Sequence, residues 1–178
     1  MESLRLVLPE ERYLVGYLQF CKEIKQTGST SFYIPDPDKF DDWKHTIIGQ
    51  NADFRQGINL PENYVPCHSF WLIEGDELIG CCNVRHRLTP ALLQSGGHIG
   101  YAIRPSKWRQ GYGSKQLALA LMEARKLGLE RVLITCDDTN TASACIIEKN
   151  GGTLEDKRII DEPTGSILRR RYWITLRP

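Results

Sequence analysis

The chain reads as an α/β domain with a mixed central sheet of about seven strands and flanking helices, and three observations predict it. Short apolar runs bounded by turn residues recur from Leu4–Leu8 to Ile167–Leu176. Between them lie stretches whose apolar residues return every three or four positions, the helical period. A glycine-containing loop, residues 104–116, stands between a strand and the most periodic helix, as at a strand-to-helix junction. With 178 residues there is chain enough for one core, so 1–178 is expected to be a single domain.

Leu4–Leu8 predicts a strand that Pro9 ends. Tyr13, Leu14, Tyr17, Leu18, Cys21 and Ile24 recur at helical spacing from Glu10 to about Gln26, and Thr27-Gly28-Ser29 stops that helix. Asp36-Pro37-Asp38 offers a cap and an early proline to a second helix through Phe40, Trp43 and Ile47. Residues 49–66 show no period and are expected to form an irregular surface lid over a site. His68–Ile73 and Glu77–Val84 flank Gly75-Asp76 as a hairpin. Arg85-His86-Arg87 follow, read as a solvated loop with an acidic acceptor's binding groups as the alternative, and Gly96-Gly97 lead into a strand over His98–Ile103. Leu117, Leu119, Ala120, Leu121, Ala124 and Leu127 give a helix over Ser114–Leu127 a broad apolar stripe, which Gly128 caps. Val132–Cys136 is continuously apolar, as expected of a buried strand parallel to its predecessor across a helical crossover. A short helix, Ala142–Lys149, ends at Asn150-Gly151-Gly152, and Thr153–Ile160 with Ile167–Leu176 read as a closing hairpin.

Composition narrows the function classes. Lys plus Arg at 23 against Asp plus Glu at 22 leaves a net charge of +1, without the basic field that nucleic-acid binding requires. No segment approaches the ~18 apolar residues of a membrane helix, and the first apolar run is too short for a signal peptide. A cytoplasmic protein with neither membrane nor nucleic-acid partner is expected. The six cysteines (Cys21, Cys67, Cys81, Cys82, Cys136, Cys145) follow no metal-ligand spacing, so buried free thiols are expected and no metal.

The loop itself points to an anion. Gly111 and Gly113 remove side chains where the chain enters a helix, so unpaired amides and the helix dipole together favour phosphate. Arg109 and Lys107 add positive charge. A nucleotide P-loop is excluded because Ser114 precedes Lys115 and the Gly-Lys-Ser/Thr ending is missing.

Ile103-Arg104-Pro105-Ser106 leads into Arg109-Gln110-Gly111-Tyr112-Gly113-Ser114, and Asn140 and Ser143 precede Glu148-Lys149-Asn150-Gly151-Gly152. These two motifs resemble those of a bacterial branch of the GCN5-related N-acetyltransferase (GNAT) family. The element order from Leu4 to Leu176 agrees, so the resemblance covers nearly the whole chain. It implies an acyl-CoA N-acyltransferase fold whose sheet splays between the fourth and fifth strands, Ile99–Ile103 and Val132–Cys136, to admit acetyl-CoA as co-substrate. It also implies that Arg109, Gln110, Gly111, Tyr112, Gly113 and Ser114 hold the pyrophosphate. Ile103 and Arg104 would lie along the pantetheine arm, with Asn140 and Ser143 opposite, and the Ile103 backbone N–H would polarise the thioester carbonyl. The implied activity is direct acetyl transfer to a primary amine of a small-molecule or peptide acceptor, by a protein that in this family is commonly a homodimer. Two positions depart from the pattern. Trp108 replaces the usual first Arg or Gln of the loop motif, and Ile147 stands where many members carry a tyrosine general acid. The second departure supports an alternative, a CoA-binding sensor or interaction module without chemistry.

Direct transfer asks for placement, an oxyanion donor and an uncharged amine. His98, in alternation with Gly100 and Ala102, has room and a suitable titration range for a base. Asp137 and Asp138, just past the next strand, are the other candidate bases. Cys145, Tyr112 and Tyr101 are open alternatives for protonating the leaving thiolate. Tyr33, Phe40 and Trp43 are candidate walls of an acceptor pocket, and Arg169-Arg170-Arg171 reads as an anion patch or as arginines with salt partners.

Overall fold

Two antiparallel sheets, of four and three strands among the described residues, meet along a seam that no strand ladder closes. The computed structural model describes residues 3–28, 35, 42, 44–162 and 165–176. β1 (Arg5–Val7), β2 (Cys67–Glu74), β3 (Glu77–Arg85) and β4 (Ile99–Ile103) form the first sheet in that order. In the second, β7 (Gly165–Thr175) lies between β5 (Arg131–Asp137) and β6 (Thr153–Glu162). The helices are α1 (Leu14–Thr27), α2 (Gln50–Gln56), α3 (Pro90–Gln94), α4 (Tyr112–Lys126) and α5 (Thr141–Lys149).

Alternation along β2 to β4 sorts the side chains onto two faces. Phe70, Cys82, Val84 and Ile99 meet Leu117, Ala120 and Ala124 of α4, in one cluster with Val132 and Ile134 of β5, Ile147 of α5 and Tyr172 of β7. That cluster holds the two sheets together from one side. On the other face, Tyr17, Phe20, Cys21 and Ile24, one stripe of α1, pack on Trp71, Ile73 and Cys81. Cys21, Cys81, Cys82 and Cys136 are buried, whereas Cys145 is exposed.

The sheets touch where β4 begins. The His98 N–H donates to Leu133 O at 2.7 Å, and the Leu133 N–H donates to His98 Nδ1 at 2.9 Å. Gly97, at φ +62°, makes this approach possible, because a Cβ there would sit 2.4 Å from Leu133 O. No ladder forms between β4 and β5, in keeping with the splay expected there. Side chains take the positions of strand partners instead: His98 serves Leu133, and Thr135 Oγ1 accepts from the Gly96 N–H at 2.9 Å.

Three further differences from expectation have physical causes. α4 begins at Tyr112 rather than Ser114, since Gly111 in the left-handed region is already its N-cap. Residues 49–66, expected to be irregular, contain α2, which follows a π-helical turn over Lys44–Gly49 and buries none of its residues, so it leaves no apolar period. α3 was not anticipated, although Thr89-Pro90 announces it: Pro90 opens the helix and Thr89 Oγ1 accepts from the Leu92 N–H at 3.2 Å. Trp43, Phe40 and Tyr33, with the Asp36-Pro37-Asp38 cap, lie outside the described residues.

In α4, Gln116 is 0% exposed, and neither Nε2 nor Oε1 has a hydrogen-bond partner among the described residues. A buried polar group in that condition costs about 1–3 kcal/mol. The near-isosteric Gln116→Met is therefore expected to raise the thermal midpoint by a few degrees. Calorimetric unfolding checks this, and a lowered midpoint would contradict it.

Candidate active site

The segment after β4 is tied down from two sides. Arg104, buried, donates from Nε to Glu23 Oε1 of α1 at 2.7 Å, and Ser106 donates to Glu23 Oε2 from its N–H at 3.2 Å and its hydroxyl at 2.9 Å. Burial alone would raise the Glu23 carboxyl, but these hydrogen bonds and the Arg104 charge outweigh it and hold the group below its ordinary value. Lys107 Nζ meets Glu77 Oε2 at 2.7 Å. Two expectations change accordingly. The Arg104 side chain turns to α1 instead of lying along the seam, and the Lys107 charge is matched by a carboxylate. Trp108, in place of the usual Arg or Gln, donates from Nε1 to Ile103 O at 2.7 Å and so fastens the loop to the strand end.

Arg109 (φ +60°) and Gly111 (φ +80°) are left-handed and turn the chain into α4. No side chain caps this helix, and a Cβ at Gly111 would meet nothing within 4 Å. The first-turn amides thus face open space. Gly113 has a different task, since a Cβ there would lie 2.7 Å from Ile146 Cδ1, so it lets α5 approach α4 closely. Asn150 Nδ2 bonds Ser114 Oγ at 3.2 Å and Ile146 O at 2.8 Å, linking the same two helices. The Tyr112 hydroxyl donates to Glu74 Oε2 at 2.5 Å, which raises its pKa and turns it away from the seam. Gln110 remains on the loop surface, reaching Ser106 O at 3.4 Å.

The seam has polar walls. Arg85 N–H to His98 O (2.8 Å) and Arg104 N–H to Ile79 O (2.9 Å) fix the phase of the β3–β4 ladder. By the alternation of antiparallel pairing, the backbone groups of Ile99, Tyr101 and Ile103 then face away from β3, into the seam. Opposite them, Asn140 Oδ1 accepts from the Ser143 N–H at 3.0 Å and caps α5. The Tyr101 and Ser143 hydroxyls share a hydrogen bond of 2.9 Å from β4 across to α5. Burial raises the Tyr101 pKa, so the phenol keeps its proton. Ile147 is fully buried in the core cluster, a packing position.

The candidate bases are all engaged. His98 is 7% exposed, its Nδ1 lone pair is directed at the Leu133 N–H, and burial, then the charges of Arg85 and Arg131, lower its pKa to about 4. Asp138 receives Lys157 Nζ and Arg170 Nε, each at 2.7 Å, which hold its carboxyl below the ordinary range. Asp137 Oδ1 lies 2.8 Å from Arg169 Nη1, off the hydrogen-bonding direction. Arg171 meets Asp156 at 2.9 Å and Glu155 at 2.8 Å, so each arginine of the triplet has acidic partners.

On the α1 face of the first sheet lies a pocket of about 520 Å³. Phe54, Tyr64 and Trp71 wall it, and Cys81, Asn83 and Arg85 belong to its floor. Residues of the expected lid, 49–66, contribute to it, whereas the expected walls Tyr33, Phe40 and Trp43 lie outside the described residues. Asn83 Oδ1 accepts the Gly100 N–H at 2.9 Å, so the floor abuts β4. Among the described residues no group of three or more His, Cys, Asp or Glu side chains is disposed to hold a metal, and no helix is long and apolar enough to cross a membrane.

Comparison with known proteins agrees with this architecture. Residues 4–153 match the family model of the acetyltransferase (GNAT) domain, and the chain belongs to that family. None of the functionally curated proteins matches it in sequence. Among solved structures it resembles RimL, a ribosomal L7/L12 alpha-N-protein acetyltransferase in complex with coenzyme A (19% identity, 98% of this chain and 94% of that one, TM-score 0.72). It also resembles the microcin C7 self-immunity acetyltransferase MccE in complex with acetyl-CoA and AMP (17%, 98% and 93%, TM-score 0.70). A GNAT-family acetyltransferase from Bacillus anthracis is similar to the same degree (17%, 99% and 97%, TM-score 0.70).

The His98 contact has a pH signature. Its folded pKa of about 4 lies below the ordinary imidazole value of 6.5, so the stability it contributes is complete above 6.5 and is lost as pH falls toward 4. At about 1.4 kcal/mol per unit, discounted for partial solvation, that loss is about 2 kcal/mol. His68 and His86, also lowered by burial, act in the same direction. His98→Asn keeps an acceptor for Leu133 and is expected to flatten the acid slope in urea-unfolding series. An unchanged slope would reject the neutral-imidazole link.

Proposed function

We propose that the protein transfers an acetyl group from acetyl-CoA directly to a primary amine. The observation that carries this reading is the open seam between β4 and β5 beside an uncapped α4. Bound there, the coenzyme would supply an acyl thioester. The backbone amides of Gly111, Tyr112, Gly113 and Ser114 are suited to its diphosphate, with Arg109 and Gln110 beside them and the exposed Arg109 without an ion-pair partner among the described residues. Ile103 and the Arg104 backbone border one side of the seam, Asn140 and Ser143 the other.

The Ile103 N–H is the donor for the developing oxyanion, a contribution of about 3 kcal/mol for one well-placed group. The Tyr101–Ser143 hydroxyl pair is the proton relay: as the N–C bond forms and the C–S bond breaks, the phenol passes its proton to the leaving thiolate and regains one from the proton that the amine nitrogen gives up, so it ends protonated as it began. Ile147 then need not be a tyrosine, and the sensor reading loses its main support. His98 acts as a positioning residue that fixes the seam, not as the base. The acceptor amine enters from the pocket over Asn83, a small molecule or the end of a peptide. The net charge of +1 suits an enzyme without a nucleic-acid partner, and the reading is of a cytoplasmic, single-domain protein without a membrane partner, in a family where homodimers are common.

Titration calorimetry with acetyl-CoA tests the reading. Gly111→Asp is expected to bind at least about tenfold more weakly than Gly111→Asn, since both strain the same left-handed backbone and only one repels the diphosphate. Equal affinities would displace the phosphates from this loop, and a wild-type protein that binds no acetyl-CoA at millimolar concentration would end the proposal.

A further inference from the structure

Arg85 is the one charged side chain among the described residues that line the pocket on the α1 face. Its Nη1 donates to Gly96 O at 3.3 Å and Gly97 O at 3.0 Å, and no carboxylate pairs with it. Nε and Nη2 have no hydrogen-bond partner among the described residues, although the residue is largely enclosed. A cation in this condition is ordinarily matched by an acidic neighbour. Its titratable neighbours among the described residues are Cys67 and Tyr64, neither a carboxylate. The carbonyls of Gly96 and Gly97 fix the guanidinium by one nitrogen, leaving its other edge to present two donors side by side, the geometry that receives paired oxygens.

The surroundings say how a ligand would lie. Phe54, Tyr64 and Trp71 offer an aromatic wall, and the volume of about 520 Å³ suits a small organic body. Asn83 and Arg85 project from the same face of β3, about 7 Å apart along the strand. Asn83 stands opposite Gly100, and Cys81 opposite Ala102, so the floor of the pocket belongs to the strand that pairs with β4.

We propose that the acceptor carries an oxyanion, a carboxylate or a phosphate, at the end remote from its amine, and that Arg85 receives it. The proposal rests on the acetyltransferase reading for the word acceptor, but the pocket chemistry can be tested without turnover.

Four probes on one aromatic body separate the alternatives: phenylacetate, benzyl phosphate, phenylacetamide and phenethylamine, each titrated into the wild-type protein, Arg85→Gln and Arg85→Lys. The expected result is that at least one oxyanion binds the wild type about tenfold or more tighter than the amide, with the amine weakest. Which oxyanion leads identifies the group. The preference should vanish in Arg85→Gln and persist in Arg85→Lys. Comparable affinities for all four, no binding by either oxyanion, or a preference undiminished in a folded Arg85→Gln would each overturn the proposal. If Arg85→Gln does not fold, the wild-type ranking decides. Acetyl-CoA titrated into the same samples keeps the outcomes apart, because its failure to bind would remove the acetyltransferase reading and leave the pocket result standing.

Discussion

Two hydrogen bonds between His98 and Leu133 determine where the sheets join and where they part. Adjacent strand edges normally pair, since unpaired backbone groups inside a protein are costly. Here one of the two bonds comes from an imidazole. A side-chain acceptor satisfies the Leu133 N–H without bringing the β4 backbone into ladder register, so pairing ends where it starts. Gly97 permits the contact, and the common packing of Ile99 and Val132 under α4 prevents the halves from drifting apart. The result is a gap with fixed walls, lined by the backbone groups of Tyr101 and Ile103. Such a gap is tolerable when a ligand with its own amides can complete the pairing.

Electrostatics at the mouth of the gap differ from what a count of basic residues suggests. Of the cations near the loop, Arg104 answers Glu23 and Lys107 answers Glu77. Their work is mechanical. The Arg104 side chain is buried and meets Glu23 at 2.7 Å and Glu77 at 3.7 Å, so its charge is matched from two elements. It fixes the exit of β4 against α1, and Trp108 fixes the next turn against Ile103. Anion recognition then rests on backbone amides, whose placement is set by this bracing.

Much of this was legible in the sequence, and the reasons separate cleanly. The strands and α1, α4 and α5 were visible because each buries one face, and burial is what leaves a period. α2 buries no residue and left none. α3 left a cap signal, Thr89-Pro90, too short to weigh. The motif residues were found at the helix start, yet the directions of their side chains were not, because direction depends on partners distant in the chain. Glu23 lies 81 residues from Arg104, and Leu133 lies 35 from His98. His98 was singled out for the room that Gly100 and Ala102 leave beside it, and the sequence did not show that its Nδ1 lone pair is directed across the seam at the Leu133 N–H.

The pocket also bears on whether the acetyl group pauses on the protein. Cys67, Cys81 and Cys82 all line it, and an acyl-cysteine relay would need one of them as thiolate. Burial raises the pKa of all three, Cys81 and Cys82 most, and no cation is placed to counter it except Arg85 beside Cys67. A thiol held protonated in apolar surroundings is a poor nucleophile. Cys67 and Arg85 stand opposite each other at the end of the β2–β3 ladder remote from Ile103, so the one thiol with a nearby cation is the one farthest along the strands from the oxyanion donor. On the proposed function, amine and thioester would therefore meet directly, with no acyl-cysteine between them.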